Sequence, residues 1–195
     1  MIGDLRFVIL LLASASPRRA DLLRAAGFDF EVRSAGADET VHPGELPEQY
    51  VRRVAEAKAH AVLPAAGDRP VIAADTVVLI DGRILGKPVD AEQAAAMLRT
   101  LSGRRHQVMT GVSVRYSTRE IREVVTTTVW FATLTPPEID WYVASGEGRD
   151  KAGAYAIQGR AARFIPRVDG SYSNVVGLPI ALVYALISKL SSKLI

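Results

Sequence analysis

The sequence predicts an α/β fold, a mixed sheet flanked by helices, and three observations carry that expectation. Short apolar runs alternate with helical patterns from the first residues onward, as in a parallel sheet with crossover helices. Two long β-branched stretches, His106 to Tyr116 and Ile121 to Phe131, are separated only by Ser-Thr-Arg-Glu and should pair antiparallel. The chain has 195 residues, is 49% hydrophobic and contains 15 Gly and 10 Pro, which fits one compact domain over 1–195 with a substantial core. No internal repeat, low-complexity segment or linker divides it.

Taken in order, Phe7 to Ala13 reads as a buried strand. Ser16 is suited to cap a helix that Pro17 opens, Leu22, Leu23 and Ala26 supply its apolar stripe, and Gly27 stops it. Phe28 to Arg33 alternates like a strand, and Gly36 to Glu39 forms an acidic turn. Pro47 opens a helix carrying Tyr50, Val51, Val54, Ala55, Lys58, Ala59 and Val62, which Pro64 ends. Val71 to Ala74 is a short strand, interrupted by Asp75-Thr76 and resumed by Val77 to Ile80. Asp81-Gly82 signals a type I′ hairpin back into Arg83 to Leu85. After a Gly86-Lys87-Pro88 turn, Asp90 and Gln93 make a capping box for a helix with Leu98 and Leu101 inward, closed by Gly103. Beyond the long hairpin, Thr135 to Glu138 starts a helix with Ile139, Tyr142 and Val143 on its apolar face. Lys151 to Gly159 is small and glycine-rich, Phe164 to Val168 a strand, Asp169-Gly170 a turn, and Leu178 to Leu190 a closing helix.

The first strand-to-helix junction concentrates chemistry. A helix N-terminus offers free N–H groups and the positive end of its dipole, and Ser14, Ser16, Arg18 and Arg19 lie beside it, a set that suits a polyphosphate. The same residues equally suit a capped helix with solvated arginines. Asp75, read as ending a core strand, sits where open α/β sheets place ligands; it could bind Mg²⁺ or take a proton from water, or simply cap local amides. Thr76 adds a hydroxyl. Asp38 and Glu39 could hold a hard cation or be solvated. Lys58, one turn after Val54, would ordinarily snorkel to water. Lys87 could neutralise phosphate, and Gln158 could read a base edge or satisfy loop backbone.

Composition excludes several classes. There is no cysteine, hence no disulfide, thiolate metal site or cysteine nucleophile. Twenty-four Lys plus Arg against 21 Asp plus Glu give a net charge of +3, which suits an anionic small molecule and is too weak and too evenly spread to argue for nucleic acid. The first apolar run is too short for a membrane span and lacks the basic start of a signal peptide, so a cytoplasmic protein is expected. Neither a P-loop nor a dinucleotide glycine fingerprint is present, no nucleophile elbow surrounds Ser14 or Ser16, and His42, His60 and His106 have no metal-type spacing.

The residues nevertheless resemble a known family. Leu-Ala-Ser-Ala-Ser-Pro-Arg-Arg at 12–19, Glu39, Lys58 within Ala-Glu-Ala-Lys-Ala, Ala-Asp-Thr at 74–76, Gly-Lys-Pro at 86–88, Leu-Ser-Gly at 101–103, Asp-Lys-Ala-Gly-Ala-Tyr-Ala-Ile-Gln-Gly at 150–159 and Gly-Ser-Tyr-Ser-Asn-Val-Val-Gly-Leu-Pro at 170–179 are similar, in order, to the Maf nucleoside triphosphate pyrophosphatases. The likeness runs from Ile9 to Leu190. It implies a Maf/Ham1 (ITPase)-like fold: an elongated mixed sheet flanked by helices, in two lobes with a central cleft. It also implies hydrolysis of nucleoside triphosphates to monophosphate and pyrophosphate with a divalent cation, Mg²⁺ or Mn²⁺. Under the resemblance Asp75 is the general base, Ser14, Arg19, Lys58 and Lys87 hold phosphates, and Glu39 with Asp75 binds metal. Arg18, Thr76 and Gln158 fall on the specificity positions and resemble the branch that hydrolyses dTTP and UTP. The acidic turn is Asp38-Glu39 where relatives often carry two glutamates, which leaves the metal ligand open. Nucleotide-pool sanitation, a link to inhibition of septum formation and a homodimer follow by analogy. The rival readings are a nucleotide-sensing regulator without turnover, and nucleic-acid binding through Arg18, Arg19, Arg104 and Arg105, which lacks an aromatic-interleaved basic surface.

Overall fold

Strand β1, Leu10–Ala13, is buried at every position, as its uninterrupted apolar run requires. The computed structural model describes residues 9–34 and 36–191; Phe7 and Val8, at the start of the expected first strand, lie outside the described residues. Helix α1, Pro17–Ala25, follows β1 and leads into β2, Phe30–Arg33, which pairs parallel with β1. Helix α2, Pro47–Ala61, leads into β3, Val71–Ile80, which pairs parallel with β1 on its other side. Parallel neighbours need a crossover, and the two helices supply it. Strand β4, Arg83–Leu85, returns antiparallel on β3 through Asp81 and Gly82, both at positive φ as the type I′ signal demands.

Helix α3, Ala91–Leu101, is capped by Asp90, whose carboxylate accepts the Gln93 N–H at 2.7 Å. The Gln93 side chain reaches back one residue further than expected, to the Val89 N–H. Strands β5, Arg105–Tyr116, and β6, Arg119–Trp130, are neighbours joined through two residues, a link that only an antiparallel hairpin allows. Helix α4, Pro136–Ala144, opens on the expected Thr135–Glu138 capping box. Strand β7, Arg167–Asp169, pairs antiparallel with β6, and helices α5, Tyr172–Val176, and α6, Ile180–Ser191, finish the described chain. The sheet has seven strands in the order β2-β1-β3-β5-β6-β7, with β4 on β3.

Three sequence expectations need correction. Asp75-Thr76 does not interrupt a strand, since β3 runs unbroken for 10 residues. Phe164 begins no strand: it ends a 3-10 turn, and Pro166, having no N–H to give a ladder, delays β7 to Arg167. Short helix α5 lies in a segment for which no element was expected.

The described chain divides into two compact units. The first comprises the chain up to Asp75, Thr110–Val125 and the chain from Gly177 onward. Here one face of the strands, with Leu10, Leu12, Ile72, Ala74, Val112 and Val114, packs on Ala20 and Leu23 of α1 and on Val183, Leu186, Ile187 and Leu190 of α6. The opposite face, with Leu11, Ala13, Val71 and Ala73, packs on Ala59 of α2 and on Val62. Gly111 of β5 lies under α2, where any Cβ would run into the Val51 carbonyl. The glycine lets helix backbone approach strand backbone directly. The second unit comprises Thr76–Met109 and Thr126–Val176. In it α3 packs against α4 and the 152–154 turn, with Ala94, Met97 and Ala154 buried together. Asn174 is fully buried and donates to the Val108 carbonyl and to Thr127 Oγ1, a structural tie within the last family motif.

Candidate active site

Alternation along β3 decides where Asp75 points. Val71 and Ala73 belong to the row facing α2, and Asp75 is next in that row. On α2, Tyr50, Val54 and Lys58 are spaced at i, i+4 and i+8 and so share one ridge. Lys58 Nζ reaches Asp75 Oδ1 at 2.7 Å and Glu39 Oε1 at 2.7 Å. The side chains of Lys58 and Asp75 are 9% and 8% exposed, that of Glu39 47%. Lys58 therefore does not snorkel to water: two carboxylate oxygens replace the water its ammonium would otherwise need.

At the β1–α1 junction, Ser14 and Arg19 are both buried. Arg19 Nε donates to the Gly177 carbonyl at 2.8 Å and Nη1 to Ser14 Oγ at 3.2 Å. Ser14 Oγ also accepts the Ser16 N–H at 3.1 Å, whereas Ser16, in the cap position, makes no side-chain cap bond. The Ser14 bond is a local turn that precedes the helix, and the side-chain cap expected of Ser16 is not made. Burial lowers the pKa of the Arg19 guanidinium from its ordinary value; the charges of Asp75 and Glu39 oppose that shift and Arg18 adds to it. Arg18, half-buried, lies one residue before. A buried cation and a hydroxyl beside a helix N-terminus can bind an anion.

Asp38 and Glu39 separate in role. Asp38 Oδ1 accepts the Thr40 N–H at 2.8 Å, an Asx-type turn, and Thr40 holds the carboxyl below its usual pKa. Glu39 faces Lys58 instead. Glu39 and Asp75, two carboxylates converging on one positive nitrogen, offer the hard oxygen donors that a divalent cation takes. Sequence reasoning missed three residues that support the loop: Arg53 and Glu45, not singled out, and Tyr50, read only as apolar. Arg53 grips Glu45 at 2.6 and 2.8 Å and holds its carboxyl down at about 2. Tyr50 donates its hydroxyl to the Glu39 carbonyl at 2.9 Å, and burial pushes that hydroxyl up to about 12. The available signal was an arginine at i+3 from the tyrosine, on the helix that carries Lys58.

The other three expected site residues belong to the second unit. Thr76 follows Asp75 in β3 and falls in the opposite row, while Lys87 and Gln158 are exposed. The Gly153 N–H donates to the Gly86 carbonyl at 3.0 Å, which ties the segment bearing Gln158 to the turn bearing Lys87. Gly153, at φ +70°, packs its α-carbon on Val78 with no room for a side chain. His106, buried, meets the Tyr155 hydroxyl at 2.8 Å, and burial brings its pKa down to about 4.

Among the described residues, Glu56, His60 and Glu120 also converge, with ligand atoms within 4.8 Å of one another. Arg122 engages Glu56, and Arg115 and Ser113 engage Glu120, so those carboxylates already have cationic or hydroxyl partners. No helix among the described residues is long and apolar enough to cross a membrane.

Comparisons with known proteins bear on the fold and on the family. A solved structure, that of the Staphylococcus aureus Ham1 protein, superposes with a TM-score of 0.53 over 93% of this chain and 98% of that one, at 18% identity, and so shares the fold. A protein of Anaeromyxobacter dehalogenans (strain 2CP-C) described as dTTP/UTP pyrophosphatase is 54% identical, over 92% of this chain and 93% of its own. Relatives of the same description from Escherichia coli O157:H7 and Syntrophomonas wolfei are 50% and 47% identical, over 94% and 91% of this chain and 93% and 95% of theirs. The family model described as Maf-like protein matches residues 9–190, nearly the whole described chain, and the chain belongs to the Maf family.

Proposed function

We propose that this protein hydrolyses nucleoside triphosphates to the monophosphate and pyrophosphate, with dTTP and UTP as substrates. The observation that carries the reading is the buried Asp75 carboxylate held at 2.7 Å by Lys58, which holds Glu39 at the same distance. The description shared by relatives at 47–54% identity supports the substrate choice. In this reading Asp75 is the general base: it takes a proton from the attacking water as the bridge between the α and β phosphates breaks. Arg19, Lys58 and Lys87 carry positive charge to the phosphates, and Ser14 and Arg18 complete their hold. Glu39 and Asp75 would hold the divalent cation, Mg²⁺ or Mn²⁺, which supplies charge neutralisation for the departing pyrophosphate. Arg18, Thr76 and Gln158 select the base and adjoining phosphates.

Pyrophosphate and orthophosphate release, measured separately over a panel of nucleotides, tests this. Pyrophosphate with monophosphate is expected from dTTP and UTP, and Asp75→Asn, folded by circular dichroism, should be slower by at least ~10²-fold. A folded Asp75→Asn enzyme near full activity refutes the base. Tight dTTP binding with no turnover by the parent protein makes it a nucleotide sensor instead.

A further inference from the structure

We propose that Arg53, together with Tyr50 and Glu45, is a positioning group that sets the Glu39 carboxylate for cation binding. The inference rests on the role given to Glu39 above, and its ground is an unusual concentration of bonds on three consecutive carbonyls. Arg53 Nη1 donates to the Asp38 carbonyl at 3.3 Å, the Tyr50 hydroxyl to the Glu39 carbonyl at 2.9 Å, and Arg53 Nη2 to the Thr40 carbonyl at 2.8 Å. The residue that points at Lys58 is therefore gripped at its own carbonyl and at both neighbouring ones.

All three grips come from one turn of α2, the helix that also delivers Lys58 two turns later. The segment from 36 to 46 contains no helix or strand, and its larger apolar side chains, Val41 and Leu46, are exposed. Such a segment has little apolar burial to offset the ~1–2 kcal/mol of backbone entropy lost per ordered residue. Its order must come from hydrogen bonds. The carboxylate of Glu45, 9% exposed, takes Arg53 Nε at 2.6 Å and Nη2 at 2.8 Å, and its Oε2 also accepts the His42 N–H at 3.1 Å. A two-point carboxylate grip fixes the guanidinium plane and leaves its remaining N–H groups aimed at the carbonyls. Tyr50 lies against the same guanidinium, 5.5 Å from its ring centroid to Cζ. A lysine at 53 carries its three donors on one nitrogen and lacks the planar fork that meets Glu45 at two points while reaching the carbonyls on either side.

The bland account is that Arg53 only staples a loop for stability. The two accounts separate in a cycle of Arg53→Lys, Arg53→Ala and Tyr50→Phe, each made alone and with Glu39→Gln. Three readouts are taken: dTTP turnover, amide hydrogen exchange of the 37–45 peptide, and Mn²⁺ affinity from the free-ion EPR signal with an α,β-non-hydrolysable dTTP analogue present. Groups that orient a ligating carboxylate are worth about 10–100-fold in metal affinity or activity. Arg53→Lys and Arg53→Ala should weaken Mn²⁺ and lower kcat by about 10-fold at that scale, and speed exchange in the 37–45 peptide alone. Tyr50→Phe should move all three readouts the same way by less. Added to Glu39→Gln, neither position should cost more than about twofold, because groups acting through one carboxylate are not additive. A full additive loss in the Glu39→Gln background, or unchanged loop exchange and Mn²⁺ affinity in the single variants, overturns the positioning role. If Glu39→Gln alone keeps full turnover and Mn²⁺ affinity, the role of Glu39 falls first and the positioning role with it. Should Arg53→Ala not fold, Tyr50→Phe, which deletes one oxygen, carries the same comparison.

Discussion

Lys58→Met keeps the length and most of the volume of the side chain but removes the charge between Asp75 and Glu39. At 2.7 Å and an effective dielectric near 20, one such pair amounts to about 6 kcal/mol of gross attraction, much of it offset by the cost of drying both ions. The Glu39 pair is discounted to about 0–1 kcal/mol, because that carboxylate is 47% exposed and water screens it. Asp75 is 8% exposed and would be left buried without its cation, so the variant should lose about 3–5 kcal/mol. Removing the second charge as well should return most of that loss: Lys58→Met with Asp75→Asn is expected within about 1–2 kcal/mol of the parent, since neither member of the pair is then left as a buried charge without the other. Urea unfolding at pH 7 of the parent, both single variants and the double variant gives the coupling directly. A Lys58→Met loss below about 1 kcal/mol, or two single losses that simply add, would refute the view that this pair is a buried, mutually dependent unit.

Two further expectations follow from other residues. His106 has a folded pKa of about 4 against 6.5 for an ordinary histidine, so below 6.5 the unfolded chain takes a proton that the fold refuses. Stability should therefore fall as pH drops from about 6.5 to about 4, by up to roughly 3 kcal/mol, and His106→Gln should remove that part of the slope in urea unfolding; an unchanged slope shows that His106 is not the group responsible. Gln158, if it pairs with the O4 and N3 edge of thymine or uracil, should reject cytosine, whose pattern is reversed there, at ~1–3 kcal/mol per unpaired group. Gln158→Ala should then cost dTTP more than dCTP in kcat/KM, and equal use of dCTP and dTTP by the parent would sink the base-edge assignment.

The sequence by itself determined the α/β class, most helix starts and the hairpin turn, because these depend on local chemistry. Pro17, Asp90, the Thr135–Glu138 box and Asp81-Gly82 each act within a few residues of themselves, and each stands where its pattern placed it. The motif residues Ser14, Arg19, Lys58 and Asp75 were also legible, as types set at strand and helix ends. Their states were not. A lysine on a helix flank is solvated unless something distant meets it, and only the packing of α2 over β3 supplies Asp75. Asp75 looked like a strand end because a charge inside a sheet is costly; the same packing meets that cost, so β3 runs through it. Arg53 had no local signature, since its partners, Glu45 and the carbonyls of Asp38 and Thr40, lie 8 to 15 residues away along a loop without periodicity. Hydrogen bonds across such separations depend on how a chain closes on itself, and tertiary structure alone decides that.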